Sequence, residues 1–405
     1  MRILYTIGIW FYGFGVHVAA AFGHRNARLM LRGWHHWSEE LRKLDGRPVA
    51  WFHAASLGEF EQARPVLESY SERNPEQQIL LTFFSPSGYE VRKNYPKAHA
   101  ICYLPPDLPI TVRCFLHHLP TLQAAFFVKY DFWFNYLGVL RSRHIPTYIF
   151  SAIFRPNQYF FKWYGAWFRR QLRECYTHFF VQNNESLQLL KSHGIEQCTI
   201  AGDTRFDRVH QIAVTAESDA KVERWLDGYD GKVLVGGSTW PPDEELIAET
   251  VKNTRIILAP HVISEEHLCQ IEKMFPDSIR YSRCGDNSNQ RVLIIDNIGM
   301  LSKLYRYATV AYIGGGFGVG IHNILEAVTF GKPVLFGPNY HKFKEARDII
   351  ARGGGFCHHN IDEMKNNLNP LLNDSDALEK ASRACLDYMQ ENLGSTTKIM
   401  DTIEK

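Results

Sequence analysis

The chain has 405 residues, of which 45% are hydrophobic and 22% charged, so it is too long for one ordinary hydrophobic core and too apolar for a disordered chain. Residues 1–210 carry 24 Lys and Arg against 16 Asp and Glu, and the remaining residues carry 21 against 27. A basic first half indicates an anionic surface or substrate, but the lack of a dense basic run argues against nucleic acid.

The eight cysteines form no CxxC pair, which favours reduced thiols in the cytosol over disulfides or a cysteine metal site. Residues 3–22 contain no Asp, Glu, Lys or Arg, and twenty residues is about the length that crosses a hydrocarbon core. Three possibilities stay open: a spanning helix, an interfacial helix and a buried N-terminal helix. Because Arg25, Arg28 and Arg32 follow, we expect residues 1–24 to anchor a cytoplasmic protein at a membrane.

Short β-rich apolar runs alternate with helical spacers in both halves, which predicts parallel sheets wound with helices. The runs are 49–52, 79–83, 124–128, 148–150 and 179–181, and then 233–235, 256–258, 292–295, 310–313 and 333–336. We expect an α/β fold with two doubly wound Rossmann-like domains, residues 25–208 and 209–405, facing a cleft. One possibility is that the last helix of the second domain packs back on the first domain. Functional groups should lie in the loops after strands.

The loop after the first strand contains Ser56, Gly58 and Glu59. Glu59 falls at a probable helix start, where its carboxylate could act as a general base toward an acceptor hydroxyl. The alternative is helix capping, because Ser56 and Glu59 also fit the S-x-x-E capping box.

Two further loops of the first half carry candidate groups. Ser85, Ser87 and Gly88 could bind an anion at a helix start, and plain N-capping explains them equally well. Lys129 and Asp131 end an apolar strand, where they are candidates for a pair near the acceptor or for a local salt bridge.

In the second half, Ser238 and Thr239 follow a strand and precede a helix start, a favourable place for a phosphate. Another post-strand loop could present backbone groups to a base; it consists of Asn297, Ile298, Gly299 and Met300.

The strongest local signal is the glycine-rich stretch 314–320, which leads into Asn323 and Glu326. Its glycines leave the backbone open to close approach by a ligand. Asn323 and Glu326, three residues apart, are expected to share one helix face, where they could meet a phosphate or sugar and ribose hydroxyls.

In this order and spacing, the segments resemble the 3-deoxy-D-manno-octulosonic acid (Kdo) transferases of the GT-B glycosyltransferase class, over nearly the whole chain. The segments that carry the resemblance are 53–59, 85–88, 202–207, 237–239, 322–326 and 331–338. The resemblance implies an inverting transferase of lipopolysaccharide biosynthesis. Its donor would be CMP-Kdo and its acceptor a lipid A precursor at the cytoplasmic face of the cell inner membrane.

The resemblance also implies roles for particular residues. Glu59 matches the family's general base, and Asn323 with Glu326 matches its donor-binding pair. Asp131 stands where the family has a glutamate, and His261 stands where it has an arginine.

Ser238 and Thr239 match the family's phosphate loop, and Arg205 matches a lysine near the expected cleft. No acidic cluster suggests a metal, and no other cofactor is expected. The alternatives are another membrane-associated GT-B transferase, using a UDP-sugar and a lipid-linked acceptor, and a non-catalytic sugar- or lipid-binding scaffold.

Overall fold

The computed structural model describes residues 1–285 and 288–404, which divide into two compact units. The first unit is Met1–Arg208 together with the C-terminal segment from Leu393, and the second unit is Val209–Asn392. Each unit contains a seven-stranded sheet whose paired strands all run parallel, with helices between the strands. The predicted α/β, doubly wound fold class is confirmed.

The first sheet has the strand order β3-β2-β1-β4-β5-β6-β7. Its strands are β1 (Val49–Ala54), β2 (Gln78–Phe83), β3 (Ala100–Tyr103), β4 (Leu122–Val128), β5 (Thr147–Ala152), β6 (His178–Val181) and β7 (Cys198–Ile200). The helices that begin in this part of the chain are α1 (Arg2–Ala21), α2 (Arg25–Leu41), α3 (Leu57–Arg73), α4 (Pro86–Arg92), α5 (Pro109–His117), α6 (Phe134–Ser142), α7 (Ala166–Cys175), α8 (Asn184–Lys191) and α9 (Thr204–Thr215).

The second sheet has the strand order β10-β11-β9-β8-β12-β13-β14. Its strands are β8 (Val233–Thr239), β9 (Arg255–Pro260), β10 (Ser278–Arg280), β11 (Val292–Ile294), β12 (Val310–Ile313), β13 (Val334–Phe336) and β14 (Gly355–Cys357). The helices are α10 (Ala220–Leu226), α11 (Pro241–Thr250), α12 (Glu265–Met274), α13 (Leu301–Leu304), α14 (Leu325–Val328), α15 (Lys344–Arg352), α16 (Ile361–Asn373), α17 (Ser375–Asn392) and α18 (Ser395–Ile403). Of these, α18 belongs to the first unit and packs on α3.

The strand order reverses at a central strand in each sheet. β1 pairs with both β2 and β4, and β8 pairs with both β9 and β12. In doubly wound sheets, ligands bind beyond the carboxyl ends of the strands at such a reversal. A ligand site is therefore expected in the loops after β1 and β4 and in those after β8 and β12.

Both faces of the central strands are covered, so β1, β2 and β9 are buried along their whole length. This burial explains why they appear in the sequence as apolar runs rather than as alternating patterns. All eight cysteines are free thiols. The helix α1 is long and apolar enough to cross a membrane, and only 11% of its most apolar window is buried.

Gly33 of α2 offers a test of how tightly this helix packs on β3. A Cβ atom at Gly33 would lie 2.0 Å from Cδ2 of the buried Tyr103. We expect Gly33→Ala to lower the melting temperature, because overpacking of about 1–3 kcal/mol exceeds the gain of about 0.5–1 kcal/mol from Ala in a helix interior.

Gly13→Ala in α1 is the matched control, since nothing lies within 4 Å of its Cβ position. Its melting temperature should be unchanged or slightly raised. A Gly33→Ala protein that melts at or above the wild-type temperature would contradict the packing argument.

Candidate functional site

Glu59 and Asp131 follow two neighbouring strands at the reversal point of the first sheet. Glu59 lies in the first turn of α3, after β1, and Asp131 lies just beyond β4. Ser56 caps α3, since its Oγ accepts a hydrogen bond of 3.4 Å from the backbone N–H of Glu59. Capping is therefore present, yet it leaves the Glu59 Oε2 atom buried without a hydrogen-bond partner.

Four buried polar side-chain atoms around this point have no hydrogen-bond partner among the described residues. They are His53 Nε2, Glu59 Oε2, Asp131 Oδ2 and Trp133 Nε1. His53 Nε2 lies 3.8 Å from Asp131 Oδ2, and the His53 and Trp133 rings are 5.8 Å apart. Buried polar atoms are nearly always hydrogen-bonded, so this group, which we call the carboxylate site, is suited to a polar ligand or water.

The two acids of the carboxylate site differ in what shifts their pKa. Burial raises the pKa of Glu59, and the positive charge of Lys129 opposes that rise. Burial and then the charge of Glu59 raise the pKa of Asp131 well above its usual value. Two neighbouring carboxyls that repel each other favour a state with one shared proton. We expect Asp131, the more buried acid, to hold the proton and Glu59 to be the ionised base.

His53 belongs to this site although only its neighbours were predicted as site residues. It is fully buried, and burial lowers its pKa to about 3, so the ring is neutral. Its Nδ1 lies 2.8 Å from Thr82 Oγ1, which fixes the ring and points Nε2 toward Asp131. A histidine inside a buried strand, directly before the Ser56 loop, was the sequence signal for it.

The candidates in the loop after β2 have local contacts, whereas the loop after β1 leaves space around Gly58. Ser85 does not cap α4 with its side chain, because its Oγ lies 2.7 Å from Ser87 Oγ. Gly88 serves packing, since a Cβ there would lie 2.3 Å from the Phe83 ring. Gly58 has open space around its Cβ position.

Arg205, the candidate cation of the first unit, has an acidic partner. Its guanidinium forms an ion pair of 2.8 Å with the buried carboxylate of Asp203, which also accepts a hydrogen bond from Gln62. Anion binding by Arg205 stays a prediction.

In the second unit, the predicted phosphate loop is the end of β8 itself. Ser238 has a positive φ of 52°, which is uncommon for a residue with a side chain. Thr239 is fully buried and its hydroxyl donates to Glu244 Oε1 at 2.9 Å. The Thr239 hydroxyl is therefore bonded to Glu244, and phosphate binding at Ser238 and Thr239 stays a prediction.

Asp243 joins the loop after β8 to the glycine-rich loop after β12. Its Oδ2 accepts hydrogen bonds of 3.0 Å from the backbone N–H groups of Trp240 and Gly315, and its Oδ1 accepts one of 3.0 Å from the Tyr312 hydroxyl. Asp243 is 1% exposed. It therefore fixes both loops at the reversal point of the second sheet, a role that the sequence did not reveal.

Three rings stack beside these loops. His261 lies between Trp240 and His322, with ring centroids 4.7 and 4.6 Å apart. Burial, and then the neighbouring His261, lower the pKa of His322. The rings follow β8, β9 and β12, so they form an aromatic surface at the carboxyl edge of the sheet.

Asn323 and Glu326 are brought together, but not on one helix face as predicted. The helix α14 begins only at Leu325, so Asn323 precedes it. Asn323 Nδ2 donates to Glu326 Oε1 at 3.2 Å, and Asn323 Oδ1 accepts a hydrogen bond of 3.3 Å from the N–H of Leu325. Side-chain hydrogen bonds, rather than helix periodicity, hold this pair.

The loop after β11 is divided between surface and core. Asn297, Ile298 and Gly299 are exposed, whereas Met300 is 8% exposed and is the N-cap residue of α13. Within residues 1–285 and 288–404, no three His, Cys, Asp or Glu side chains are grouped as metal ligands. The expectation that the reaction needs no metal stays a prediction.

Replacing Asp243 tests whether it holds the two loops of the second unit. In Asp243→Ala, the Trp240 and Gly315 N–H groups lose their acceptor, at about 1–3 kcal/mol for each orphaned buried group. We expect their amide hydrogen exchange to accelerate by about tenfold or more. Tyr312→Phe removes only the third hydrogen bond and should leave both amides protected. Unchanged exchange in Asp243→Ala would show that other contacts fix the loops.

The chain is similar to known proteins both in a family model and in overall sequence. Residues 33–208, which include the carboxylate site, match the family model described as 3-deoxy-D-manno-octulosonic-acid transferase (kdotransferase). The 3-deoxy-D-manno-octulosonic acid transferase of Rickettsia prowazekii (strain Madrid E) is 27% identical, covering 88% of this chain and 77% of the relative. The one from Aquifex aeolicus (strain VF5) is 26% identical, covering 82% of this chain and 88% of the relative.

Solved structures share the fold. The UDP-GlcNAc 2-epimerase from Neisseria meningitidis bound to UDP-GlcNAc has a TM-score of 0.61 at 15% identity, covering 88% of this chain and 99% of that one. A putative UDP-N-acetylglucosamine 2-epimerase from Listeria monocytogenes gives a TM-score of 0.60 at 12% identity, covering 89% of this chain and 96% of that one. The chain is therefore similar to the Kdo transferases over most of its length, and it has the fold that these solved structures share.

Proposed function

We propose that this glycosyltransferase moves Kdo from CMP-Kdo to a hydroxyl group of a lipid A precursor at the cytoplasmic face of the inner membrane, in lipopolysaccharide biosynthesis. The observation that carries the proposal is the pair of the half-buried Glu59 and the buried Asp131 at the reversal of the first sheet. The similarity to 3-deoxy-D-manno-octulosonic acid transferases supports Kdo as the sugar.

Glu59 is the general base of the proposed reaction. Its ionised carboxylate takes the proton of the acceptor hydroxyl while that oxygen bonds to the anomeric carbon of Kdo. The bond between that carbon and the CMP phosphate breaks on the opposite face, so the anomeric configuration inverts. Lys129 keeps Glu59 ionised, and a protonated Asp131 adds no second negative charge beside it.

We assign donor binding to the second unit. The glycine-rich loop offers bare backbone, and Asn323 with Glu326 supplies an amide and a carboxylate to phosphate and ribose hydroxyls. The rings of Trp240, His261 and His322 offer an aromatic surface for the nucleotide. Because CMP is a good leaving group, backbone N–H groups that stabilise its phosphate suffice and no general acid is needed.

Glu59→Gln tests the base directly. Loss of a general base lowers rates by about 100- to 10,000-fold, so we expect turnover to fall by that factor while CMP-Kdo binding is unchanged. The measurement is mass spectrometry of a lipid A precursor incubated with the enzyme and CMP-Kdo, with UDP-sugars as alternative donors.

Glu72→Gln is the control for that substitution, because Glu72 lies on the same helix with a side chain that is 69% exposed. It should transfer Kdo at the wild-type rate. If Glu59→Gln also keeps close to the full rate, Glu59 is not the base; transfer from a UDP-sugar but not from CMP-Kdo would refute the donor.

Lys129→Met tests the electrostatic assignment through pH. The base must be ionised, so activity falls as the pH drops through the pKa of Glu59. Removing the lysine charge removes the influence that lowers this pKa, so the acidic limb of the kcat/KM profile should move to higher pH. Lys129→Arg keeps the charge and should keep the wild-type limb. A limb that stays in place in Lys129→Met would contradict the pairing.

A further inference from the structure

The first turn of α1 is attached to the body of the first unit by polar contacts. The Tyr5 hydroxyl donates to Asp107 Oδ2 at 2.6 Å, and Arg2 Nε donates to Asn135 Oδ1 at 3.0 Å. Asn135 Nδ2 also lies 3.3 Å from the Thr6 hydroxyl. Asp107 and Asn135 are both fully buried. We call these contacts the polar seam.

Contacts continue to the other end of the helix. In its middle, the Tyr12 ring stacks on Phe84 at 5.7 Å, and Phe84 directly follows β2. Near its end, Val16 and Ala20 pack against α2. Arg28 of α2 donates through Nε to the carbonyl of Ala20 at 3.0 Å, which caps the last turn of α1. One side of α1 therefore touches the unit from the first turn to the last.

The opposite side of α1 is apolar and exposed. Trp10 is 57%, Phe11 62% and Phe14 56% exposed, and Phe22, just beyond the helix, is 89% exposed. An uninterrupted row of large apolar side chains on one helix marks an interaction surface rather than scattered surface residues. We call it the outer face of α1.

The polar seam indicates whether α1 crosses the bilayer or lies on its surface. A helix of 20 residues is about 30 Å long, the thickness of a hydrocarbon core, so a spanning α1 would leave the unit along its whole length. That would remove the Tyr5 hydroxyl from Asp107, which keeps the backbone N–H groups of Asn135 and Tyr136, and would take Arg2 away from the buried Asn135 Oδ1. Orphaning a buried acceptor in this way is destabilising.

The positions of basic and aromatic groups agree with a surface helix. Arg25 and Arg32 follow α1 and are exposed, as an anionic headgroup layer requires. At the other end, the Tyr5 ring contacts Phe134, which contacts Trp167 of α7, and the nearby Trp163 is 91% exposed. Exposed tryptophan is typical of the interface between headgroups and hydrocarbon.

We propose that α1 does not span the membrane: it lies in the plane of an anionic phospholipid leaflet, docked on the first unit through the polar seam, with its outer face in the lipid. The inference rests on the proposed function only in that a lipid acceptor requires the enzyme at a bilayer. It adds that the acceptor-binding unit itself, rather than a tether, rests on the leaflet.

The topology is tested with the full chain carrying a protease-cleavable tag at each end, expressed in a Gram-negative cell. A helix in the plane keeps both tags on the cytoplasmic side, so both should be cut in inverted membrane vesicles and neither in spheroplasts. Cleavage of the N-terminal tag in spheroplasts would overturn the proposal, because it places Met1 across the membrane.

The lipid contact is tested by flotation of the purified full chain with vesicles of phosphatidylethanolamine and phosphatidylglycerol, without donor or acceptor. Trp10→Glu combined with Phe14→Glu should lower the vesicle affinity by about tenfold or more, since two large apolar side chains leave the lipid. Val214→Glu, at a residue that is 70% exposed on α9, should bind like the wild type.

Vesicle binding that is equal in the double variant and the wild type would overturn the lipid role of the outer face. Because neither measurement involves sugar transfer, a failure here is distinct from a failure of the proposed reaction. Equal melting temperatures of the variants show that the substitutions change the surface and not the fold.

Discussion

The arrangement of chemistry in this protein depends on one constraint: the central strands of its sheets are buried on both faces. Polar side chains therefore have few places inside a unit except the carboxyl ends of strands, and the reversal of strand order opens a space there. Glu59 and Asp131 flank the reversal in the first sheet, after β1 and β4. Their proximity follows from sheet topology, although 71 residues of sequence numbering lie between them.

The central strands of the second sheet are also buried, but the carboxylate at its reversal is hydrogen-bonded differently. Asp243 is buried, like Asp131, but all its contacts are satisfied: two backbone N–H groups and one phenol surround it. A fully satisfied buried carboxylate fixes structure, whereas a buried carboxylate with an unpaired oxygen is available for chemistry. This contrast separates a carboxylate that positions loops from a pair that we assign to proton transfer.

The sequence predicted the interior of both sheets but not their edges. Every predicted apolar run overlaps a strand, whereas β3, β7, β10 and β14 were missed, and all four are edge strands. Edge strands have only three or four residues here, too few for a distinct pattern. The site was predicted only in part. Glu59 and Asp131 could be predicted because each follows an apolar run, whereas the roles of His53 and Asp243 depend on tertiary hydrogen bonds.

The carboxylate site and the N-terminal helix differ in which groups lack a partner. An orphaned buried group is destabilising by about 1–3 kcal/mol, and a ligand or water that completes it recovers that cost. At the carboxylate site, the orphan atoms of His53, Glu59 and Asp131 remain for an incoming hydroxyl. At α1 the seam oxygens of Asp107 and Asn135 are already paired with Tyr5 and Arg2. The apolar face is what α1 leaves without a partner, so hydrocarbon rather than a polar ligand is the environment that completes it.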